Sequence, residues 1–144
     1  MQNNIPGLKL DFSKSPTIWK FLQDKSFVRG LIGPVGSGKS YACCAEIFKR
    51  AIQQKPSPRD GIKRTRFVIV RNSYPMLKTT TLKTWLELFP EHIYGPVHHS
   101  PPITHHIKLP SRDGAAGIDC EVIFLALDQP KDTRKLLSLE ITGA

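Results

Sequence analysis

The chain has 144 residues, of which 40% are hydrophobic and 23% are charged, so it is long enough for one domain with a core and too short for two ordinary domains. This composition excludes a chain that is disordered throughout. The formal net charge of +9 favours a polyanionic partner such as nucleic acid, with a basic solubilising surface as the alternative.

We predict that residues 1–26 are an irregular lead-in that contains one short helix over residues 17–24. In that helix Ile18, Phe21 and Leu22 recur at helical spacing. Residues 27–32, with the sequence FVRGLI, form a short apolar run. We predict a β-strand there.

The sequence GPVGSGKS at residues 33–40 fits the phosphate-binding-loop pattern G-x-x-x-x-G-K-[ST] at every required position. A helix is expected over residues 41–55, which contain no Gly or Pro and carry Cys44 and Phe48 on one face. Two prolines at positions 56 and 58 would end that helix. Strand, loop and helix in this order favour a phosphate-binding loop over an ordinary glycine-rich turn.

The residue types in this loop suit a polyphosphate with its metal ion. Glycines allow tight turns and let backbone N–H groups approach the phosphates. Lys39 can reach the β- and γ-phosphates and assist catalysis there, and the Ser40 hydroxyl is a ligand for Mg²⁺. The sequence therefore predicts ATP and Mg²⁺ as cofactors. The predicted nucleotide-binding residues are Gly33, Pro34, Val35, Gly36, Ser37, Gly38, Lys39, Ser40 and Tyr41.

In phosphate-loop proteins the segment before the first strand often packs near the base. Phe21 or Gln23 could therefore contact adenine, with a core Phe and a surface Gln as the plainer alternatives.

A β-branched run at residues 67–70 predicts a second strand, which would complete a strand–helix–strand unit with the first. Arg71 follows it at the strand's carboxyl end, where open parallel sheets bind ligands. It is a candidate phosphate sensor or arginine finger, and a surface-pairing or helix-dipole arginine is the alternative. Residues 79–81, all threonine, are expected to cap a helix running to Phe89.

Residues 94–104 are rich in Pro and Gly and are predicted to be a loop. Two histidine pairs, at 98–99 and 105–106, suggest a metal site, but adjacent residues on a strand point to opposite faces. We therefore favour structural roles for these histidines. Two strands are predicted at residues 107–109 and 120–127, joined by a turn.

Asp128 ends the apolar run at residues 122–127. This is the pattern of a Mg²⁺-holding aspartate at a strand tip. Alternatively, Asp128 caps a following helix with Pro130 in its first turn. The pattern leaves both interpretations open.

Three cysteines with no C-x-x-C spacing indicate neither a disulfide framework nor a four-ligand zinc site. They favour a reducing, cytosolic setting. The longest uninterrupted apolar run, residues 122–127, is too short to cross a membrane.

With these residues in view, the chain resembles the ATPase domain of a tailed-phage terminase large subunit. The similar blocks make up about half of the chain and are FVRGLIGPVGSGKSYACCAEIF (27–48), FVIVRNSYPMLKTTTLKTWLELFPE (67–91) and CEVIFLALDQPKDTRKLLSLEITGA (120–144). The resemblance implies an α/β fold: a P-loop NTPase with a RecA-like, mostly parallel sheet flanked by helices. By this resemblance residues 27–144 are the front part of that domain, incomplete at the C-terminus, without the nuclease domain.

The resemblance also implies a motor that uses ATP hydrolysis to move double-stranded DNA into a procapsid. Its partners would be the portal protein and a small terminase subunit, its assembly a homo-oligomeric ring, and its location the host cytoplasm. In similar proteins the acidic Walker B strand follows the segment matching residues 136–144, so the catalytic carboxylates would lie beyond Ala144 and Asp128 would be a cap or loop residue. The arginine that some terminases carry inside the loop has no counterpart at residues 34–37.

Two other functions fit the residues. One is a small stand-alone phosphotransferase that uses Asp128 to hold its metal ion. The other is a non-catalytic nucleic-acid-binding module in which the loop grips a backbone phosphate.

Overall fold

Two helices precede the first strand in the computed structural model, which describes residues 11–144. Helix α1 spans Pro16–Gln23, starting with the proline that suits a first helical position, and α2 spans Lys39–Gln53. Both predicted helices are thus confirmed, and α2 ends just before Pro56. The part of the predicted irregular lead-in that falls on residues 1–10 lies outside the described residues.

The remaining elements are short helices and the four strands of one sheet. They are β1 (Lys63–Arg71), α3 (Tyr74–Met76), a π-helical turn (Leu77–Thr81), α4 (Leu82–Leu88), α5 (Glu91–Tyr94), β2 (Val97–His98), β3 (Ile103–Leu109), β4 (Ile118–Ala126) and α6 (Pro130–Leu137).

The described chain is a mixed α/β structure with a four-stranded mixed sheet, in the order β1-β4-β3-β2, flanked by helices. Strands β1 and β4 are parallel, whereas β4–β3 and β3–β2 are antiparallel. The expectation of a mostly parallel sheet is therefore wrong for residues 11–144. The predicted strands at 67–70, 107–109 and 120–127 are present, and the predicted loop at 94–104 contains the short β2.

Residues 27–32 do not form the predicted strand. The side chains of Phe27, Val28 and Ile32 are instead exposed, at 104%, 81% and 98%. A strand needs a neighbour, and the edge of β1 away from β4 is taken at Phe67 by a parallel bridge to Gly143. The predicted strand–helix–strand unit therefore does not form among the described residues.

The three threonines at 79–81 do not cap a helix as expected. The hydroxyls of Thr79 and Thr80 donate back to carbonyls of the preceding turn, at 2.7 and 2.6 Å. The helical stretch begins earlier, at Tyr74, where the Ser73 side chain accepts from Met76 N at 3.4 Å. The periodicity placed the helix correctly, but these hydroxyls are used inside it.

The core lies mainly on one face of the sheet, under α2 and α4. Its aromatic centre joins Phe48, Trp85, Phe89 and Phe124, with ring centroids 4.3 Å apart for Trp85–Phe89 and 4.9 Å for Phe48–Phe89. On the opposite face a smaller cluster is covered by α6 and the segment after it. This cluster contains Val68, Ile123 and Leu125, with Val70, Leu136 and Leu139 packed against it. No helix within residues 11–144 has the length and apolarity to cross a bilayer.

Candidate phosphate-binding site

The loop at residues 33–40 is folded tightly and exposed between α1 and the start of α2. Ser37 N donates to Pro34 O at 3.3 Å, which closes a turn with Gly36 at φ +79°. Gly38, also at φ +79°, is the N-cap of α2. Side chains strain this backbone conformation, so both glycines are required for this loop shape.

Lys39 folds back across the loop. Its Nζ donates to Gly33 O at 2.7 Å, to Pro34 O at 2.6 Å and to Ser37 Oγ at 3.0 Å. All three acceptors are neutral, whereas a phosphate oxygen is anionic and forms a stronger bond with an ammonium group. The amine is therefore held on the loop and can exchange these acceptors for a phosphate.

The first turn of α2 directs backbone donors out of the same loop. The first intrahelical bond runs from Ala42 N to Gly38 O at 2.8 Å, and the N-cap glycine has no side chain that could accept. The N–H groups of Lys39, Ser40 and Tyr41 precede that bond. An anion is favoured at such a helix start by these donors and by the helix dipole.

Helix α1 packs against the base of the loop. A Cβ added to Gly38 would lie 3.4 Å from Ile18 Cδ1, and Ile18 and Leu22 form a small buried cluster with Ala42. Phe21 packs against this cluster and Gln23 is exposed. The environments of Phe21 and Gln23 thus match the plainer interpretations, a packed Phe and a surface Gln.

Tyr41 is the last of the predicted nucleotide-binding residues and lies half-buried. Its ring meets Phe12 edge-on, with centroids 6.0 Å apart. Burial raises the pKa of its phenol, and the nearby charge of Glu87 adds to the rise. Tyr41 therefore keeps its proton, and its ring packs at the start of α2.

The carboxyl ends of β1 and β4 bring Arg71 and Asp128 to one edge of the sheet, where Leu127 N donates to Arg71 O at 2.9 Å. Arg71 Nε donates to Thr81 Oγ1 at 2.7 Å. Among the described residues, no hydrogen bond or ion pair joins Arg71 or Asp128 to the loop. Residues 33–41 form one compact loop and helix start, and Arg71 and Asp128 make their described hydrogen bonds elsewhere.

Asp128 is not the cap of the helix that follows it. That position belongs to Gln129, whose backbone N donates to Asp132 Oδ2 at 3.0 Å at the start of α6. Asp128 Oδ2 instead accepts from Tyr74 N at 3.1 Å, at the first residue of α3. The carboxylate therefore stabilises the start of a helix that is distant in sequence, a role that local pattern could not reveal.

The histidines have separate surroundings. His105 is fully buried and bonded to Trp85 and Gly95, whereas His106 is exposed and contacts Asp119. The two neighbours on β3 thus face opposite sides, as predicted. Within residues 11–144 no group of three or more His, Cys, Asp or Glu side chains is arranged to hold a metal ion.

Sequence reasoning missed an ion cluster around Glu46 of α2, which is only 6% exposed. Burial by itself would raise the pKa of this carboxyl, but hydrogen bonds from Arg50 and Arg29 and the charge of Lys49 outweigh burial and lower the pKa. A signal was available, because Glu46 lies one helical turn after Ala42 on the apolar face.

Comparisons with models of known protein families, with curated proteins and with solved structures find no match.

Proposed function

We propose that residues 33–41 bind the triphosphate of ATP together with Mg²⁺. The observation that carries this proposal is Lys39, whose Nζ lies across the loop on Gly33 O and Pro34 O. Beside it, the uncapped first turn of α2 presents N–H groups to the same space. A cation and several converging donors suit a polyphosphate better than a single carboxylate.

Each part of the ligand then has a partner. The N–H groups at the start of α2 hold the β-phosphate, and Lys39 neutralises charge between the β- and γ-phosphates. The Ser40 hydroxyl, exposed in the first turn, supplies one ligand to Mg²⁺. Hydrolysis also needs carboxylates that hold the metal ion and polarise water.

At the level of the whole protein, we propose that the chain is the ATP-binding part of a viral DNA-packaging motor with a RecA-like core. The resemblance of residues 27–48, 67–91 and 120–144 to terminase large subunits supports this, as does the net charge of +9. Double-stranded DNA, a portal and a small terminase subunit are then its partners.

The ATP proposal is tested by calorimetric titration with Mg²⁺ and ATP. Lys39→Ala should weaken binding by at least about tenfold, because it removes the one cation on the loop that reaches the phosphates. Lys108→Ala is the matched control, since Lys108 is an exposed lysine on β3. Equal affinities for wild type and Lys39→Ala would refute the proposal.

The DNA proposal is tested separately, by titrating double-stranded DNA at about 50 and about 200 mM salt with and without Mg²⁺ and ATP. A packaging motor should bind DNA more weakly at high salt and respond to the nucleotide. Binding that falls with salt but ignores ATP would instead identify a nucleic-acid-binding module.

A further inference from the structure

Four charged side chains meet between α1 and α2. The buried Glu46 carboxylate accepts from Arg29 Nη2 at 2.7 Å and Arg50 Nε at 2.8 Å through Oε1, and from Lys49 Nζ at 3.2 Å through Oε2. The Arg29 and Glu46 side chains are only 12% and 7% exposed. Water screens such a pair weakly, so losing either member leaves an uncompensated buried charge.

Two of these cations also donate hydrogen bonds to carbonyls at the C-terminal end of α1. Arg29 Nη1 donates to Phe21 O at 3.0 Å and to Asp24 O at 2.9 Å, and Lys49 Nζ donates to Leu22 O. Carbonyls in a last helical turn lack intrahelical donors, and positive charge there is favoured by the helix dipole. Glu46 therefore fixes α1 to α2 through the two cations.

Arg29 also attaches the segment that leads into the phosphate loop. Residues 27–32 form no strand, so no ladder of backbone hydrogen bonds holds them. Among hydrogen bonds within residues 11–144, those of Arg29 are the ones that tie this segment to the helices. Arg29 and Glu46 are 17 residues apart in sequence and enclose the whole loop between them.

Helix α1 connects the ion cluster to the loop through packing contacts. Its Ile18 lies against Gly38 and, with Leu22, packs on Ala42 in the first turns of α2. If α1 moved away, Gly38 and the start of α2 would lose that support. The positions of the loop donors therefore depend on the ion cluster at the other end of α1.

We propose that Arg29 and Glu46, assisted by Lys49, are positioning residues that hold the phosphate loop in its binding shape. They act through α1 and do not touch the ligand. Their consequence for ATP affinity rests on the function proposed above, whereas their effect on the loop does not.

The first test measures amide hydrogen exchange without nucleotide in wild type, Arg29→Met and Arg64→Met. Arg29→Met should speed exchange in α1 and at Ala42 N, which donates to Gly38 O, while β3 stays unchanged. The control breaks an exposed arginine–carboxylate pair, Arg64 with Asp60 at 2.6 Å. Unchanged exchange in α1 and at Ala42 would overturn the proposal.

The second test measures affinity for ATP with Mg²⁺. Arg29→Met should raise the Kd about tenfold, since a loop that is no longer preorganised must be ordered on binding. Arg29→Lys should restore part of the affinity, because lysine keeps the charge but cannot bond two carbonyls and Glu46 together. Arg64→Met should match wild type.

The two tests separate the two proposals. If wild type does not bind ATP, the proposed function fails while hydrogen exchange still decides the positioning role. If wild type binds ATP and Arg29→Met binds equally well, the positioning role is wrong. Should Arg29→Met not fold, Arg29→Lys replaces it in both measurements, and wild-type behaviour of that variant in both would refute the role.

Discussion

His105 is held in one neutral form by two hydrogen bonds. Trp85 Nε1 donates to its Nδ1 at 2.8 Å, so its Nε2 carries the proton and donates to Gly95 O at 2.9 Å. Burial lowers the pKa of this ring from its ordinary 6.5, against the bond to Gly95 O and the charge of Glu91, and His106 adds to the lowering. A second proton would sit on Nδ1, facing the indole donor.

Because the native pKa is lowered, His105 should make stability depend on pH. The unfolded histidine takes up a proton as the pH falls through 6.5, and the native one only at lower pH. Its stabilising contribution is therefore complete above that value and is lost below it, at up to about 1.4 kcal/mol per pH unit. Urea unfolding at about pH 7.5 and about pH 5.5 measures this loss.

The variant that tests this is His105→Gln, which should flatten the pH dependence of the unfolding free energy. An identical slope in wild type and His105→Gln would show that this ring does not control it.

The helical stretch after β1 contains a π-helical turn whose last residue faces the sheet. Thr81 is 6% exposed, and its Oγ1 accepts from Arg71 Nε at 2.7 Å. π-helical turns insert a residue into a helix and redirect side chains, often at functional sites. Here the turn links the carboxyl end of β1 to the start of α4.

Replacing Thr81 by Val should destabilise the protein by about 1–3 kcal/mol, because it removes the acceptor and leaves a half-buried guanidinium N–H without its partner. Thr80→Val is the control, since the exposed Thr80 hydroxyl donates to Met76 O within the same helix. That change should cost less than about 0.5 kcal/mol. Equal losses in the unfolding free energy of the two variants would contradict the role given to Thr81.

The elements show what could be read from the sequence and what could not. Helix α2 and strands β1 and β4 follow from periodicity and β-branched runs, which are local signals. The segment 27–32 has the same kind of apolar run, yet a strand also needs a free edge beside it, and Gly143 takes the edge of β1. Strand pairing depends on the whole sheet and cannot be predicted from one segment alone.

The candidate site also has features that could be predicted from the sequence and features that could not. The loop is contiguous in sequence, so its motif marks residues 33–40 as candidates without any knowledge of how the chain packs. The Glu46 cluster joins side chains from α2 and the segment before the loop to carbonyls of α1, and Asp128 acts on the start of α3. Such contacts depend on how elements pack, which periodicity and spacing do not specify.

In the molecule as a whole, the sheet and helix α1 belong to different hydrophobic clusters. Helices α2 and α4 cover one face of the sheet and α6 contributes to the other. Helix α1 packs in a separate small cluster at the start of α2. The loop at residues 33–40 is thus attached to the core through α2, and helix α1 packs beside the C-terminal end of the loop.

If residues 33–41 close around a triphosphate, as we propose, their backbone amides must change environment when ATP binds. The most direct measurement is a nitrogen–proton correlation spectrum of the folded chain titrated with Mg²⁺ and ATP. We expect saturable shifts centred on the amides of Gly36–Tyr41, absent in Lys39→Ala, with the resonances of β3 unmoved. Saturable shifts elsewhere with unmoved loop amides, or no shifts at all, would contradict it.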